Sequence, residues 1–243
     1  MKGMKPGRGA AVLVTRPAEQ ADGLVESLRA HGIDVRVVPT VALEPLPFVP
    51  PRLQSFDWVV VTSPTGVRSL LDRVEPQPGV RWAAVGPTTA AELARRGVGA
   101  DVVPARARGV ELAGAMAGFE PISGRRVLLA RATAAGPELG ARLRSLGALV
   151  EELDVYQTVE GPESSRQALN QALADPRLRT VVFASGSAVR GLVKLAEEDP
   201  RRLVAVTIGP ATTLVAREHG FEVAAEADRP TVEGLLEVIE HAA

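Results

Sequence analysis

The chain has 243 residues, 46% of them apolar, and a formal net charge of −1. That is core enough for one or two domains, and without a basic tract there is no electrostatic footprint for nucleic acid. The absence of cysteine excludes disulfides, thiolate nucleophiles and zinc ribbons together.

No apolar run reaches membrane length. The opening MKGMKPGRGA has no apolar h-region, so no signal peptide and a soluble, cytoplasmic protein are expected. Lysine is confined to Lys2, Lys5 and Lys194, and Asn170 is the single asparagine. Scarce Asn and Cys fit a thermophile's protein; a GC-rich genome would give the same Arg excess.

In chain order, the first predicted strand is Val12–Val14. It is followed by Thr15, Arg16 and Pro17, a helical pattern with Leu24, Val25 and Leu28, and the closing Gly32. A proline-bearing extended stretch, VVPTVALEPLPFVPP, covers 37–51. Val59–Val61 opens the next strand–helix unit through Ser63, Pro64 and Thr65. Ala83–Val85 opens another through Gly86, Pro87, Thr88 and Thr89, closed by Gly97. After GFEPISGRR (118–126) the strand Val127–Leu129 leads to Arg131, Gly136 and Pro137, then a helix with Leu139, Leu143 and Leu146 and its closing Gly147. A second extended stretch, EELDVYQTVEGPE (151–163), carries Tyr156, the lone tyrosine. Val181–Phe183 precedes Ser185, Gly186 and Ser187. Val204–Ile208 precedes Gly209, Pro210 and Thr212, and Gly220 closes that helix.

Continuous apolar strands alternating with amphipathic helices mean α/β with parallel sheets. The order is also repeated. VVVTSPTGVRSLL (59–71) returns as VVFASGSAVRGLV (181–193), and AVGPTTAAELARRG (84–97) as TIGPATTLVAREHG (207–220). VLVTRP (12–17) returns as VLLARA (127–132), at offsets of 122, 123 and 115 residues. Such a period is the length of a small domain, too long for a solenoid. Two similar flavodoxin-like, doubly wound domains are expected. Because the long extended stretches fall inside the copies, the domains should be interleaved. One comprises 1–38 with 162–243 and the other 50–152, joined by paired linkers at 39–49 and 153–161.

Open α/β sheets bind ligands at the carboxyl ends of their strands, and helix starts attract anions. Candidate binding residues are therefore Thr15, Arg16, Ser63, Thr65, Gly86, Thr88, Thr89, Arg131, Ser185, Gly186, Ser187, Gly209 and Thr212. The same residues could equally serve only as helix caps. The matched turns hold no Asp or Glu. The sequence has no GxGxxG after a strand, no P-loop and no His cluster: His31, His219 and His241 fall at helix ends or in the tail. The turns suit a polyanionic ligand and a reaction needing few catalytic side chains. Tyr156 reads either as packing or as a functional group beside a cleft. Trp58 and Trp82, at the opposite strand ends, read as packing. A hinged polyanion receptor and a sugar-phosphate enzyme are the rival readings. The first would carry an export signal and the second acidic or histidine residues at strand tips.

In order, VTRP (14–17), VVVTSPTGVRSL (59–70), AVGPTTA (84–90), VYQT (155–158), FASGSAV (183–189) and IGPAT (208–212) resemble the uroporphyrinogen-III synthase family over residues 11 to 240. The resemblance implies two flavodoxin-like domains, no metal and no cofactor. The substrate it implies is hydroxymethylbilane, a tetrapyrrole with eight carboxylates, closed with inversion of ring D and loss of water. It implies that Tyr156 assists hydroxyl departure, and that Thr62, Ser63, Ser185, Gly186, Gly209 and Thr212 line the cleft. Ala184 stands where many relatives have threonine. A monomer acting on a small molecule, away from membrane and nucleic acid, is expected.

Overall fold

The computed structural model describes residues 10–242. The opening segment on which the signal-peptide reading rests lies almost wholly outside the described residues, as does the side chain of His241. The elements in chain order are β1 (Ala11–Val14), α1 (Ala18–Ala30), β2 (Asp34–Val37), β3 (Val41–Pro45), β4 (Trp58–Val61), α2 (Pro64–Leu71), β5 (Arg81–Ala84) and α3 (Pro87–Arg95). They continue through α4 (Gly109–Phe119), β6 (Arg126–Ala132), α5 (Glu138–Ser145), β7 (Leu149–Glu160), α6 (Arg166–Leu173) and β8 (Leu178–Phe183). The last are α7 (Gly186–Leu195), β9 (Val204–Thr207), α8 (Pro210–Glu218), β10 (Val223–Glu226) and α9 (Val232–Ala242).

The chain forms two compact units, one of Met1–Ala42 with Val159–Ala243, the other of Leu43–Thr158. The sheet of the first runs β10-β9-β8-β1-β2, with parallel pairing throughout. Read from β2, this is the flavodoxin-like order 2-1-3-4-5. The sheet of the second runs β3-β7-β6-β4-β5. Its β7, β6, β4 and β5 occupy the same sheet positions in a permuted chain order, and Val102 bridges Ala83 in parallel where a fifth strand would lie. The sequence repeat is thus a repeat of sheet position: β6 matches β1, β4 matches β8 and β5 matches β9.

Each strand alternates between two cores, as side chains of period two must. Val59 and Val61 enter one cluster with Val67 and Leu70; Trp58 and Val60 enter the other with Leu112 and Met116. Ala11 and Leu13 likewise part from Val12 and Val14. Both sheet faces are covered, which is why these strands read as unbroken apolar runs. Trp58 opens β4 and Trp82 lies within β5, rather than both preceding their strands, and both are buried.

Gly32, Gly97, Gly147 and Gly220 end their helices at φ between 75° and 88°, the left-handed conformation that glycine adopts without steric cost. Pro64, Pro87 and Pro210 occupy the first helical position, whereas Pro17 and Pro137 stand one residue before it. The ring nitrogens of His31 and His219 donate to the carbonyls of Ser27 (2.7 Å) and Val215 (2.9 Å). These histidines serve helix ends.

The stretch read as a second linker is not a separate segment. Residues from Leu149 to Tyr156 pair with β6, so β7 is a full sheet strand that runs on to Glu160. Close to where the chain leaves and re-enters the first unit, the Gly161 N–H donates to the Thr40 carbonyl (2.9 Å). Helix α7 grips both points. Thr40 Oγ1 donates to the Ala188 carbonyl (2.8 Å), Arg190 pairs with Glu160 (2.7 Å), and Lys194 Nζ donates to the Glu160 carbonyl (2.9 Å).

Candidate active site

Register brings the strand tips of each sheet level. In the second unit Val61 lies beside Ala84 and Ala130, so the turns holding Thr62–Ser63 and Gly86 leave from one edge, level with Arg131 at the end of β6. In the first, Val14 lies beside Val182, and Val182 beside Val206. The turns holding Arg16, Ser185 and Gly209 leave together there.

Tyr156 lies in β7, opposite Ala132 where the register shifts. It is 9% exposed and belongs to the apolar cluster that holds Val61 and Val67. It is therefore both a packing residue and a phenol held in place. Ser63 Oγ donates to the Tyr156 hydroxyl (3.0 Å) and accepts the N–H of Gly66 (2.9 Å) as the cap of α2. Gly66 belongs to this arrangement: a Cβ there would stand 3.2 Å from Ser63 Oγ and 3.7 Å from the Tyr156 ring. In the other unit Ser185 caps α7 through the N–H of Ala188 (3.2 Å).

Several candidate side chains are otherwise engaged. Thr15 is fully buried and its hydroxyl donates to the Val182 carbonyl (2.8 Å). Thr89 and Thr212 are also buried, and Thr65 Oγ1 accepts from Arg68 (3.2 Å). What such turns offer is backbone: as second residues of their helices, Thr65, Thr88 and Ala211 have N–H groups without an intrahelical acceptor. Ser187 Oγ accepts from Arg190 (3.2 Å), which is itself bound to Glu160. Arg131 departs furthest from expectation. Its guanidinium lies 2.6 Å from Glu152 and 3.3 Å from Asp154, both on β7, so its charge is already balanced. Arg16, its counterpart, has no ion-pair or hydrogen-bond partner among the described residues, and burial lowers its pKa below the ordinary arginine value. Thr88 and Ser185 are exposed.

Gly86 and Gly209 precede α3 and α8 with extended backbone, which any residue can adopt. Gly86 is explained by packing, since a Cβ would meet Ala107 Cβ at 2.9 Å; so is Gly186, whose Cβ would meet Val215 at 2.9 Å. A Cβ on Gly209 would meet nothing within 4 Å. Neither φ nor an internal neighbour requires glycine there.

The profile of the family described as uroporphyrinogen-III synthase HemD matches residues 22–237. The chain belongs to the uroporphyrinogen-III synthase family. These are enzymes of the cyclising lyase class. A uroporphyrinogen-III synthase of Synechococcus elongatus is 30% identical, over 96% of this chain and 95% of that protein. One of Chlorobaculum parvum is 28% identical, over 87% and 90%. The crystal structure of uroporphyrinogen-III synthetase from Helicobacter pylori shares the fold, with TM-score 0.66 at 18% identity over 95% of this chain and 98% of that one.

Proposed function

We propose that this chain closes hydroxymethylbilane to uroporphyrinogen III with inversion of ring D and loss of water. The observation that carries the reading is the Tyr156 phenol, fixed by Ser63 at the tip of its sheet. Ser63 donates to the phenol oxygen, so the phenol's own proton is available to a leaving hydroxyl.

Departure of the ring A hydroxyl breaks a C–O bond, and the proton from Tyr156 completes water, leaving an azafulvene. The substituted carbon of ring D attacks it, forming a C–C bond and a spirocyclic pyrrolenine. That intermediate reopens by breaking the older bond from the same ring D carbon to the ring C methylene, and the free α-carbon of ring D then bonds to that methylene, which inverts the ring. The proton lost as the last pyrrole regains aromaticity restores the phenol. The substrate is reactive by itself, so the protein's main contribution is orientation, a term worth up to roughly 7–11 kcal/mol in favourable cases. Arg16, Ser185, Thr62, Thr88 and the helix-start N–H groups beside Gly86, Gly186 and Gly209 are proposed to bind the carboxylates. Arg131 is proposed to hold β7 in register rather than to bind substrate.

The reaction as written needs no metal or cofactor. No helix among the described residues is long and apolar enough to cross a membrane. A cytoplasmic monomer is proposed, and the net charge of −1 gives no electrostatic footprint for a nucleic-acid partner. The test is incubation with enzymatically generated hydroxymethylbilane, followed by oxidation and isomer separation. Type III porphyrin is expected; type I alone, as in the uncatalysed closure, refutes the proposal.

A further inference from the structure

Beyond Val102, the segment that leads from α3 to α4 carries two arginines, Arg106 and Arg108, that no folding contact explains. Asp101 N–H donates to the Trp82 carbonyl (2.8 Å) and Ala84 N–H to the Val102 carbonyl (3.0 Å). Because Val102 runs parallel to β5, the chain beyond it emerges at the same sheet edge as Gly86 and Ser63. There it is pinned. Pro104 is buried, Ala107 sits against Gly86, and Gly109 fits against Leu139, where a Cβ would approach to 3.1 Å. Arg108 N–H donates to the Arg106 carbonyl (2.7 Å), and the Arg108 carbonyl accepts the first hydrogen bond of α4, from the Leu112 N–H (3.0 Å). On this fixed backbone Arg106 and Arg108 are exposed, and neither has an ion-pair or side-chain hydrogen-bond partner among the described residues.

In the corresponding loop of the first unit, between β10 and α9, Arg229 is bound to Glu237 (2.6 Å). The pair in the second unit is bare. It also stands at the start of α4, where a cation opposes the helix dipole. Folding alone disfavours such a placement; an anionic ligand favours it.

We propose that Arg106 and Arg108 bind the carboxylates of one edge of the tetrapyrrole. Guanidinium groups grip carboxylates in paired hydrogen bonds, and exposed cations raise the capture rate of a polyanion. This rests on the proposed cyclisation and adds to it a loop outside the matched turns.

The test compares steady-state kinetics of R106Q/R108Q, R106K/R108K and R106E/R108E with the wild type and with R217Q, an exposed arginine in the last turn of α8. Losing two charged contacts should raise KM about tenfold or more, and charge reversal further. The kcat and the type III product should persist, and the lysine variant should retain part of the affinity. Salt should weaken wild-type KM more than that of R106Q/R108Q. R217Q should match wild type, and the melting temperatures should hold or rise. An unchanged KM in R106E/R108E, with an active wild type, overturns the arginine pair alone. A wild type that yields only type I porphyrin overturns the cyclisation reading and the pair with it.

Discussion

Ser63 Oγ lies 3.0 Å from the Tyr156 hydroxyl while receiving the Gly66 N–H at 2.9 Å. One hydroxyl thus caps a helix and orients a phenol, and the two roles can be separated. Ser63→Ala should cost about 1 kcal/mol of stability from the lost cap and slow turnover by releasing the phenol. Ser63→Thr should restore most of both. In a double-mutant cycle with Tyr156→Phe, the turnover losses should be less than additive, as for residues in one network. Strict additivity would show that Ser63 does not act through Tyr156.

Two glycines should answer oppositely to alanine. A Cβ at Gly191 would stand 1.9 Å from the Thr40 carbonyl oxygen and 2.8 Å from Gly161 N. Backbone cannot yield there, so Gly191→Ala should unfold the first unit or lower its melting temperature sharply. At Gly209 the backbone is extended and the space is open. Gly209→Ala should leave stability equal or higher by about 0.4–1 kcal/mol, yet weaken substrate binding, because the added methyl stands where a carboxylate would approach. Full activity in Gly209→Ala would remove that turn from the site.

Acid should loosen the grip of α7 on the returning chain. The hydrogen bond from Arg190 holds the Glu160 pKa below its ordinary value of 4.5, with Ser187 assisting against partial burial. A carboxylate depressed in the folded state contributes stability above its unfolded pKa and loses it as pH falls through the folded value. Melting temperature should therefore begin to fall below about pH 4.5, and Asp34 and Asp175, also depressed by arginine hydrogen bonds, steepen the decline. Arg190→Gln should lower the melting temperature at neutral pH and flatten the acid slope. Both groups are about a third or more exposed, so salt should shrink the difference. An identical slope in the variant would show that the pair does not contribute.

Much of the fold was legible because local chemistry and sheet position agree. Strands such as Val59–Val61 are buried on both faces and read as apolar runs, and Gly32 or Gly220 can close a helix only where left-handed backbone is needed. The long-range partners were not legible. Whether the Thr15 hydroxyl faces outward depends on its register with Val182, 167 residues away. Arg131 was expected among the binding residues from its place at the end of a strand; that Glu152 and Asp154 stand beside it follows only from the pairing of β7 with β6. Arg106 and Arg108 lie in a segment outside the three repeated motifs. The pairing of Val102 beside β5 and the seat of Ala107 on Gly86 bring them to the edge.

Our account separates the rate of hydroxyl loss from the choice of isomer: the phenol speeds departure and the bound conformation selects closure. The most direct measurement is the turnover and porphyrin isomer ratio of Tyr156→Phe beside wild type and uncatalysed closure. General acid help is worth roughly 10²–10⁴-fold, and the lower end is expected for so reactive a substrate. Turnover should fall about a hundredfold, with melting temperature unchanged and the residual enzymatic product still type III. Wild-type turnover would remove Tyr156 from the mechanism, and a residual product of type I would show that the phenol itself selects the closing geometry.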